Sequence, residues 1–537
     1  MDPSRMRQAA KETELAQGNM TRTNVPAPPG ERADVSRRNL LLGAGTVGVA
    51  ALAGAGRLGY TWARHEDRRS VAAAQKAAAT RVRDVHSFHS RPDLRPPILS
   101  VDVVSSPAGV PPYVFLANKP YIGRPVGQRG LLIAERGGEV AWFSPQTQVW
   151  DFNVQSYKGK PVLTWWHGRT GHIYGRGNCY IADSSYAQIA EVKCGNGLMA
   201  DMHEFNLTSQ GTALVDAYKP QNADMRSVGG KKNGVVAAGV VQEIDIATGD
   251  VIFEWNSLDH VPLTESMSKP ADGAGTPDKP YDYFHINSID VAWDGDLLIS
   301  SRNAWAVYKV GRRDGQIKWR LGGKQSSFAM GPGARFYHQH HVRSAGTGVI
   351  TIFDNAATPQ EEPQSRGIIV KLDLTKMTAT LQHAFTSPAN VLADNQGSMQ
   401  LLPGGRAFVG WGAEPYYTEF DADGSVIMNG QLPNRDQSYR AFTGDWAGYP
   451  TDKPAVALQA NPSRGTAVYV SWNGATEVAT WQVLAGKHPS SLATVATLPR
   501  NGFETMIVAN STGPYFAVAA HDASGQQLGE SAIAKLG

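Results

Sequence analysis

Beyond about residue 98, apolar and polar positions alternate in short runs broken by Gly, Asp and Asn, and the long 3.6-residue apolar period of an amphipathic helix is missing. The run GDLLISSRNAWAVYKVGRRDGQIKWRL (295–321) reads as strand, turn, strand, Asp-Gly hairpin, strand. Weaker echoes are VVQEIDIATGDVIFEW (240–255), GIIVKLDLTKMTATLQHAF (367–385) and RAFVGWGAEPYYTEFDADGSVIMNG (406–430). Repeated antiparallel units, each closed by a Trp or another aromatic, predict an all-β body of propeller blades over 98–453. Their irregular spacing leaves the blade count open. After Pro454 the Asp-Gly hairpin disappears and strands follow at short spacing. This predicts a fibronectin III-like β-sandwich over 455–537 with Trp472 as its core aromatic, a last divergent pair of blades being the alternative.

The N-terminal hundred residues have a different texture. Residues 1–35 are polar and Pro-rich, which predicts disorder. In 36–60, Ser36-Arg37-Arg38-Asn39-Leu40-Leu41 precedes a weakly apolar Gly/Ala stretch from Leu42 to Gly56. That order resembles a twin-arginine export signal and predicts an extracytoplasmic protein that meets the Tat machinery already folded. Ala51-Leu52-Ala53 offers a cleavage site. Without cleavage the segment would serve as a membrane anchor, although it falls short of the roughly 20 apolar residues that span a bilayer. Gly43-Ala44-Gly45-Thr46-Val47-Gly48 fits GxGxxG, but no strand precedes it and no dinucleotide site is expected. Residues 61–97 read as a stalk or linker, helical to about Arg83 and ended by the prolines at 92, 96 and 97.

Charge narrows the partners. The first hundred residues carry 16 Lys and Arg against 9 Asp and Glu, and the remainder carries 35 against 39. The body is slightly acidic and has no basic run to neutralise phosphates, so nucleic acid is excluded as a partner. Cys179 and Cys194 are the only cysteines. They bracket two short strands around a turn at 184–188, and an exported chain permits a disulfide between them.

Candidate chemistry gathers in three segments: DMHEF (201–205), DYFHINSID with ISSRN (282–290 and 299–303), and YHQHHVR (337–343). Strand ends from different blades converge on one funnel, so distant segments can meet. In an extended strand His338 and His340 face one side while Gln339 and His341 face the other. A His-x-His pair is a familiar zinc motif. Arg302 in the same set opposes a dication, and no metal is expected.

The segments SRPDLRPP, YKGKPVLTWWHG, DMHEFNLTSQGTALV, EWNSLDHVPLTES, DYFHINSID, LLISSRNAWAVYKV, GQIKWRLGGK, QHHVR, FDNAA and SWNGATEV resemble the arylsulfotransferase family, in its actinobacterial and fungal branch. The likeness runs from about His89 to the C-terminus. It implies a six-bladed β-propeller and transfer of a sulfuryl group from a phenolic sulfate ester to a phenol through a sulfohistidine, without the nucleotide donor PAPS and without a cofactor. The chain carries no P-loop, in agreement. Residue by residue, the family's sulfated histidine falls on His340, with His203, His285 and Arg302 as its catalytic companions. Asn287, His341 and Arg343 are candidate substrate contacts beside them. Tyr337-His338 stands where many relatives have a Trp pair, and His341 is a rival nucleophile to His340. Imidazole suits this chemistry, being neutral near pH 7 and able to act as both nucleophile and leaving group. The Pro/Gly-rich loop 266–280 is a candidate lid over the funnel or a plain solvated insertion. Two rivals remain: a non-catalytic propeller that binds an aromatic or anionic ligand or a partner protein, and a quinone-dependent dehydrogenase, which the resemblance disfavours.

Overall fold

The computed structural model describes residues 84–537 apart from 122, 124–125, 172, 358, 434–435 and 462–464. The readings for 1–35, for the leader at 36–60 and for the stalk up to residue 83 lie outside the described residues. Among the described residues no helix is long and apolar enough to cross a membrane.

The regular structure of the described chain is nearly all β, arranged in several sheets whose strand pairs are antiparallel except where Ala329–Met330 joins Thr378–Thr386. Six strands form its centre: β1 (Val149–Tyr157), β2 (Ala200–Leu207), β3 (Ile286–Val291), β4 (His340–Ser344), β5 (Ser398–Leu401) and β6 (Asp436–Gly444). Each packs on the next, and β6 packs on β1, so the circuit closes. From β3 the chain runs outward through Leu297–Ser301, Ala306–Val310 and Ile317–Gly322, each paired with its predecessor. The sheets that start at β4 and β5 follow the same plan. β1 and β2 share one eight-stranded sheet, joined where Gly177 pairs with Ala200. β6 pairs with the early strand Tyr113–Pro120, Phe442 opposite Phe115, so the last strand of the ring completes the first sheet.

This packing explains why the apolar runs are less alternating than an exposed sheet requires. Strands such as Gly130–Glu135 and Leu297–Ser301 are buried on both faces between neighbouring sheets, and there the sequence turns almost wholly apolar. Large side chains fill the gaps between sheets: Trp255, Tyr283, Phe284 and Tyr308 form one such core, and Phe353, Phe385 and Trp411 another.

The C-terminal strands form two sheets of their own. Ala455–Asn461, Gly465–Ser471 and Glu504–Ala509 make one, and Thr480–Gly486, Ala493–Pro499 and Tyr515–His521 contribute to the other. Their shared core contains Val468, Trp481 and Phe516. Trp472, the expected core aromatic, only flanks it, because its strand ends at Ser471 and its indole N–H turns out to the Asp452 carbonyl at 2.8 Å.

The expected disulfide is not formed. Cys179 is a buried free thiol and Cys194 a half-buried one. The hairpin turn closes between Asp183 and Ala187, so Cys179 faces Val192, and Cys194 lies beyond the end of its strand, Gln188–Val192. Burial raises the pKa of both thiols, which keeps them protonated and unreactive.

Candidate active site

The six ring strands start at one end of the circuit, and side chains there touch in sequence. Trp150 of β1 meets Tyr439 of β6 at 5.5 Å between ring centroids. Tyr439 meets His203 of β2 at 5.7 Å, and His203 meets His285, just before β3, at 4.8 Å and 73°. Asn287 of β3 donates to the carbonyl of Gln339, just before β4, at 2.6 Å. His340 of β4 accepts the Gln396 backbone N–H at Nε2, and Gln396 in turn donates to the Gln437 side chain of β6.

The backbone here is unusual. Asp151, His285, Trp305, His338, His341 and Gln396 all adopt positive φ between 49° and 65°. Such conformations cost non-glycine residues free energy and cluster where function requires a particular side-chain direction. Bulges in β1, β3 and β4 fall in the same stretch.

His340 is almost wholly buried, 1% exposed. Its Nδ1 lies 2.7 Å from Asn355 Oδ1 and 3.1 Å from the His338 carbonyl. The Asn355 amide nitrogen donates to the Ala393 and Gln396 carbonyls, which fixes Oδ1 as the atom facing His340. Both neighbours of Nδ1 are therefore acceptors, so Nδ1 carries the proton and Nε2 carries the lone pair. Burial first, then Arg302, His203 and His285, hold the imidazole well below its ordinary pKa, and the ring is neutral at pH 7.

Each companion histidine has a carboxylate behind it. Asp201 bonds His203 Nδ1 and takes the Gly175 N–H on its other oxygen. Asp282 lies 2.5 Å from His285 Nδ1, where burial lowers the pKa and Asp282 opposes that shift. Both rings thus turn Nε2 away from their carboxylates. Asp216 lies beside Asp201 and His203, the ligand atoms of the three falling within 4.8 Å of one another. This is the one set of described residues spaced to hold a cation. Burial, with Asp201 next in weight, raises Asp216 well above the carboxylate range, so it keeps a proton, and Asp201 is already engaged by the imidazole. The arrangement fits a hydrogen-bonded relay better than a ligand set.

Arg302 donates to the Asn303 side chain at 3.1 Å and to the Asp394 carbonyl at 3.2 Å. Its charge acts on His285, His338 and His340 together. The loop 266–280 is anchored beside it by a bond from the Met267 N–H to the Asn303 carbonyl, 2.7 Å long.

The remaining expected contacts lie elsewhere. Asn287 is fully buried and positions Gln339. His341 packs on Phe442 with Nδ1 at the Met399 carbonyl. With Arg343 it lines a separate cavity of about 530 Å³ that includes none of His203, His285, Arg302 or His340. Between lies a buried charged layer: Arg440 binds Asp151 and Glu204, donates to the His203 and Asn287 carbonyls, and shares Glu204 with Arg343.

Asn355, Gln396, Tyr439 and the two carboxylates were missed as site residues by the sequence reading. The carboxylates had a signal, Asp-x-His at 201–203 and Asp-x-x-His at 282–285. Asn355 stands in FDNAA, one of the segments that carry the family resemblance.

The arylsulfotransferase (ASST) family profile matches residues 153–432, a span that contains all four of His203, His285, Arg302 and His340. Among curated proteins none matches. Solved structures similar to this chain include a protein of unknown function from Bacteroides caccae, 12% identical, with a TM-score of 0.37, covering 62% of this chain and 98% of its own. Another is a catalytically inactive virginiamycin B lyase from Staphylococcus aureus with quinupristin, 7% identical, with a TM-score of 0.32, covering 70% of this chain and 97% of its own.

Proposed function

Because the chain belongs to the arylsulfotransferase family, we propose that it is an arylsulfate sulfotransferase that moves a sulfuryl group between phenols through a sulfated His340, independently of PAPS. The observation that carries this reading is the state of His340: its Nδ1 proton is tied to Asn355 and its Nε2 lone pair is held by one long, 3.2 Å bond from Gln396, which an incoming sulfur can displace. In the first half-reaction Nε2 attacks the sulfur of an aryl sulfate, the N–S bond forms, the S–O(aryl) bond breaks, and a phenolate leaves. In the second a phenol oxygen attacks the same sulfur, the N–S bond breaks, and the phenol proton passes to a base.

Arg302 stabilises charge on the equatorial sulfuryl oxygens, as a preorganised donor does in the related phosphoryl transfer, and His203 and His285 join it once Nε2 carries a proton. His203 and His285, each backed by a carboxylate, also suit proton exchange with the phenolic oxygen. The same reading takes the ring of sheets as a six-bladed propeller over 98–453 and the C-terminal sheets as a fibronectin III-like domain, exported by the twin-arginine pathway. A non-catalytic aryl-binding propeller is the second reading, favoured by the near-complete burial of His340.

Incubation with 4-nitrophenyl sulfate alone separates the two. A transferase releases about one equivalent of 4-nitrophenol and retains a sulfated histidine, by covalent catalysis. His340→Ala abolishes the release, and Arg302→Ala slows it on the order of 10²- to 10³-fold. A wild-type protein that releases no phenol from any aryl sulfate sinks the transferase reading.

A further inference from the structure

Lys119 stands at the edge of the site without a role in the transfer step. Its strand, Tyr113–Pro120, pairs with β6, which sets Lys119 opposite Gln437. Gln437 accepts from the Gln396 side chain at 3.1 Å, and the Gln396 backbone N–H reaches Nε2 of His340 at 3.2 Å. The lysine therefore lies on the side toward which the reactive nitrogen points. A second line of contacts agrees: Lys119 Nζ sits 2.8 Å from the ring centroid of Trp150, which meets Tyr439 and through it His203. Lys119 is half-buried, and Tyr121, two residues on, is 48% exposed, so the site meets solvent here.

Among the described residues no acid answers this charge. Burial, and then the neighbouring Arg129, lower the pKa of the amine, and no carboxylate opposes them. Arg129 itself acts on Asp436, so its charge has a counterpart and that of Lys119 has none. An indole face attracts an ammonium but leaves its N–H donors unbonded. A neutral hydroxyl or amide would take one donor and leave the charge unanswered. An anion takes the donor and offsets both effects that lower the pKa, so an anion is the complement. That anion is not the reacting sulfuryl group. Arg302 acts on His285, His338 and His340 and is absent from the charges that act on Lys119. Arg302 stands beside β3 and Lys119 beside β1 and β6, with His203 and Tyr439 between them. Two cations so placed serve two groups of one molecule.

We propose that Lys119, seated on Trp150, binds a second, anionic substituent of the aromatic substrate, so that the protein takes phenols bearing a carboxylate or sulfonate in preference to uncharged phenols. The substrate class rests on the transferase reading of His340, whereas the anion site itself does not.

Two measurements on the full chain test it at pH 7. Titration calorimetry compares 4-hydroxybenzoate and 4-hydroxybenzenesulfonate with uncharged 4-hydroxybenzamide, and discharge of the sulfated enzyme compares the same three acceptors. At least one of the acids binds and discharges the enzyme about 10- to 100-fold better than the amide, as expected for a charge-assisted hydrogen bond, and the better acid tells a carboxylate site from a sulfonate site. Lys119→Met keeps the apolar stem on the indole and brings the ratio near one. Lys119→Arg retains part of it, which a purely structural lysine would not explain. Should the Met variant fail to fold, Lys119→Gln carries the same test. Phenol release from an aryl sulfate without a preference for either acid overturns the anion site and leaves the transferase standing. A binding preference that Lys119→Met loses, without phenol release, supports the anion site and overturns the transferase. A preference that survives in Lys119→Met or Lys119→Gln overturns the assignment to Lys119.

Discussion

At the scale of single residues, the site turns on which nitrogen of His340 holds its proton. Two acceptors at Nδ1 and one donor at Nε2 decide it, and none of them is a charged group. A carboxylate in place of Asn355 would favour imidazolium, which has no lone pair to attack with; the amide holds the ring in the same orientation while leaving it neutral. The consequence is a pH profile. Because the folded pKa is lowered, the burst of phenol release stays level as pH falls through 6.5, the ordinary imidazole value, and its acid limb lies below that. Asn355→Asp moves the acid limb upward, on the order of one pH unit. Single-turnover rates against pH check both, and a wild-type limb centred at 6.5 would contradict the neutral, shielded His340 described here.

At the scale of elements, His340 is placed by the residue beside it. Gln339 donates through Nε2 to Ser300 Oγ, the Ser301 carbonyl and the Ala306 carbonyl, at 3.0 to 3.1 Å, and its own carbonyl receives Asn287. One fully buried side chain thus latches β4 to the sheet that begins at β3. Gln339→Leu strands these acceptors, so it lowers stability by about 1–3 kcal/mol and slows the burst by loosening His340, an outcome read from denaturant melts and single-turnover rates together. Burst kinetics like wild type in a destabilised variant would show that the latch serves folding alone. This latch also marks the limit of sequence reading. Short apolar runs such as LLISS and AVYKV, with Asp-Gly turns before the first at 294–295 and after the second at 314–315, make the strands legible, and the polar clusters beside them single out His203, His285, Arg302 and His340 as candidates. The inward and outward assignment of Gln339 and His341 was not, because positive φ at His338 and His341 and a bulge between His340 and Arg343 break the two-residue period. The cysteine pairing failed at the turn, which closes between Asp183 and Ala187 and so places Val192 rather than Cys194 opposite Cys179.

At the scale of the whole molecule, the ring is closed by pairing the Tyr113–Pro120 strand with β6, so the same strand that seals the fold also brings Arg440 to the charged layer and Tyr439 to the site. Stability and site geometry meet along this seam, and one of its residues titrates. Asp436 pairs with Pro120 at the start of β6; its Oδ1 accepts the Val126 N–H at 3.1 Å, while Oδ2 is buried without a partner. Burial raises its pKa to about 6. In the unfolded chain the same carboxyl titrates near the ordinary value of about 3.9. Between those two values the folded state binds a proton that the unfolded state has lost, so this group's contribution is fully present below about pH 3.9 and declines as pH rises through about 6. Asp436→Asn keeps the shape of the protonated acid and removes the titration. Denaturant melts of both proteins at pH 4.5 and pH 7 therefore diverge: on passing to pH 7 the wild type loses stability relative to the variant, on the order of 2 kcal/mol. If the difference between the two proteins does not change with pH, Asp436 is ionised in the folded ring at both, and Oδ2 has found water at the seam.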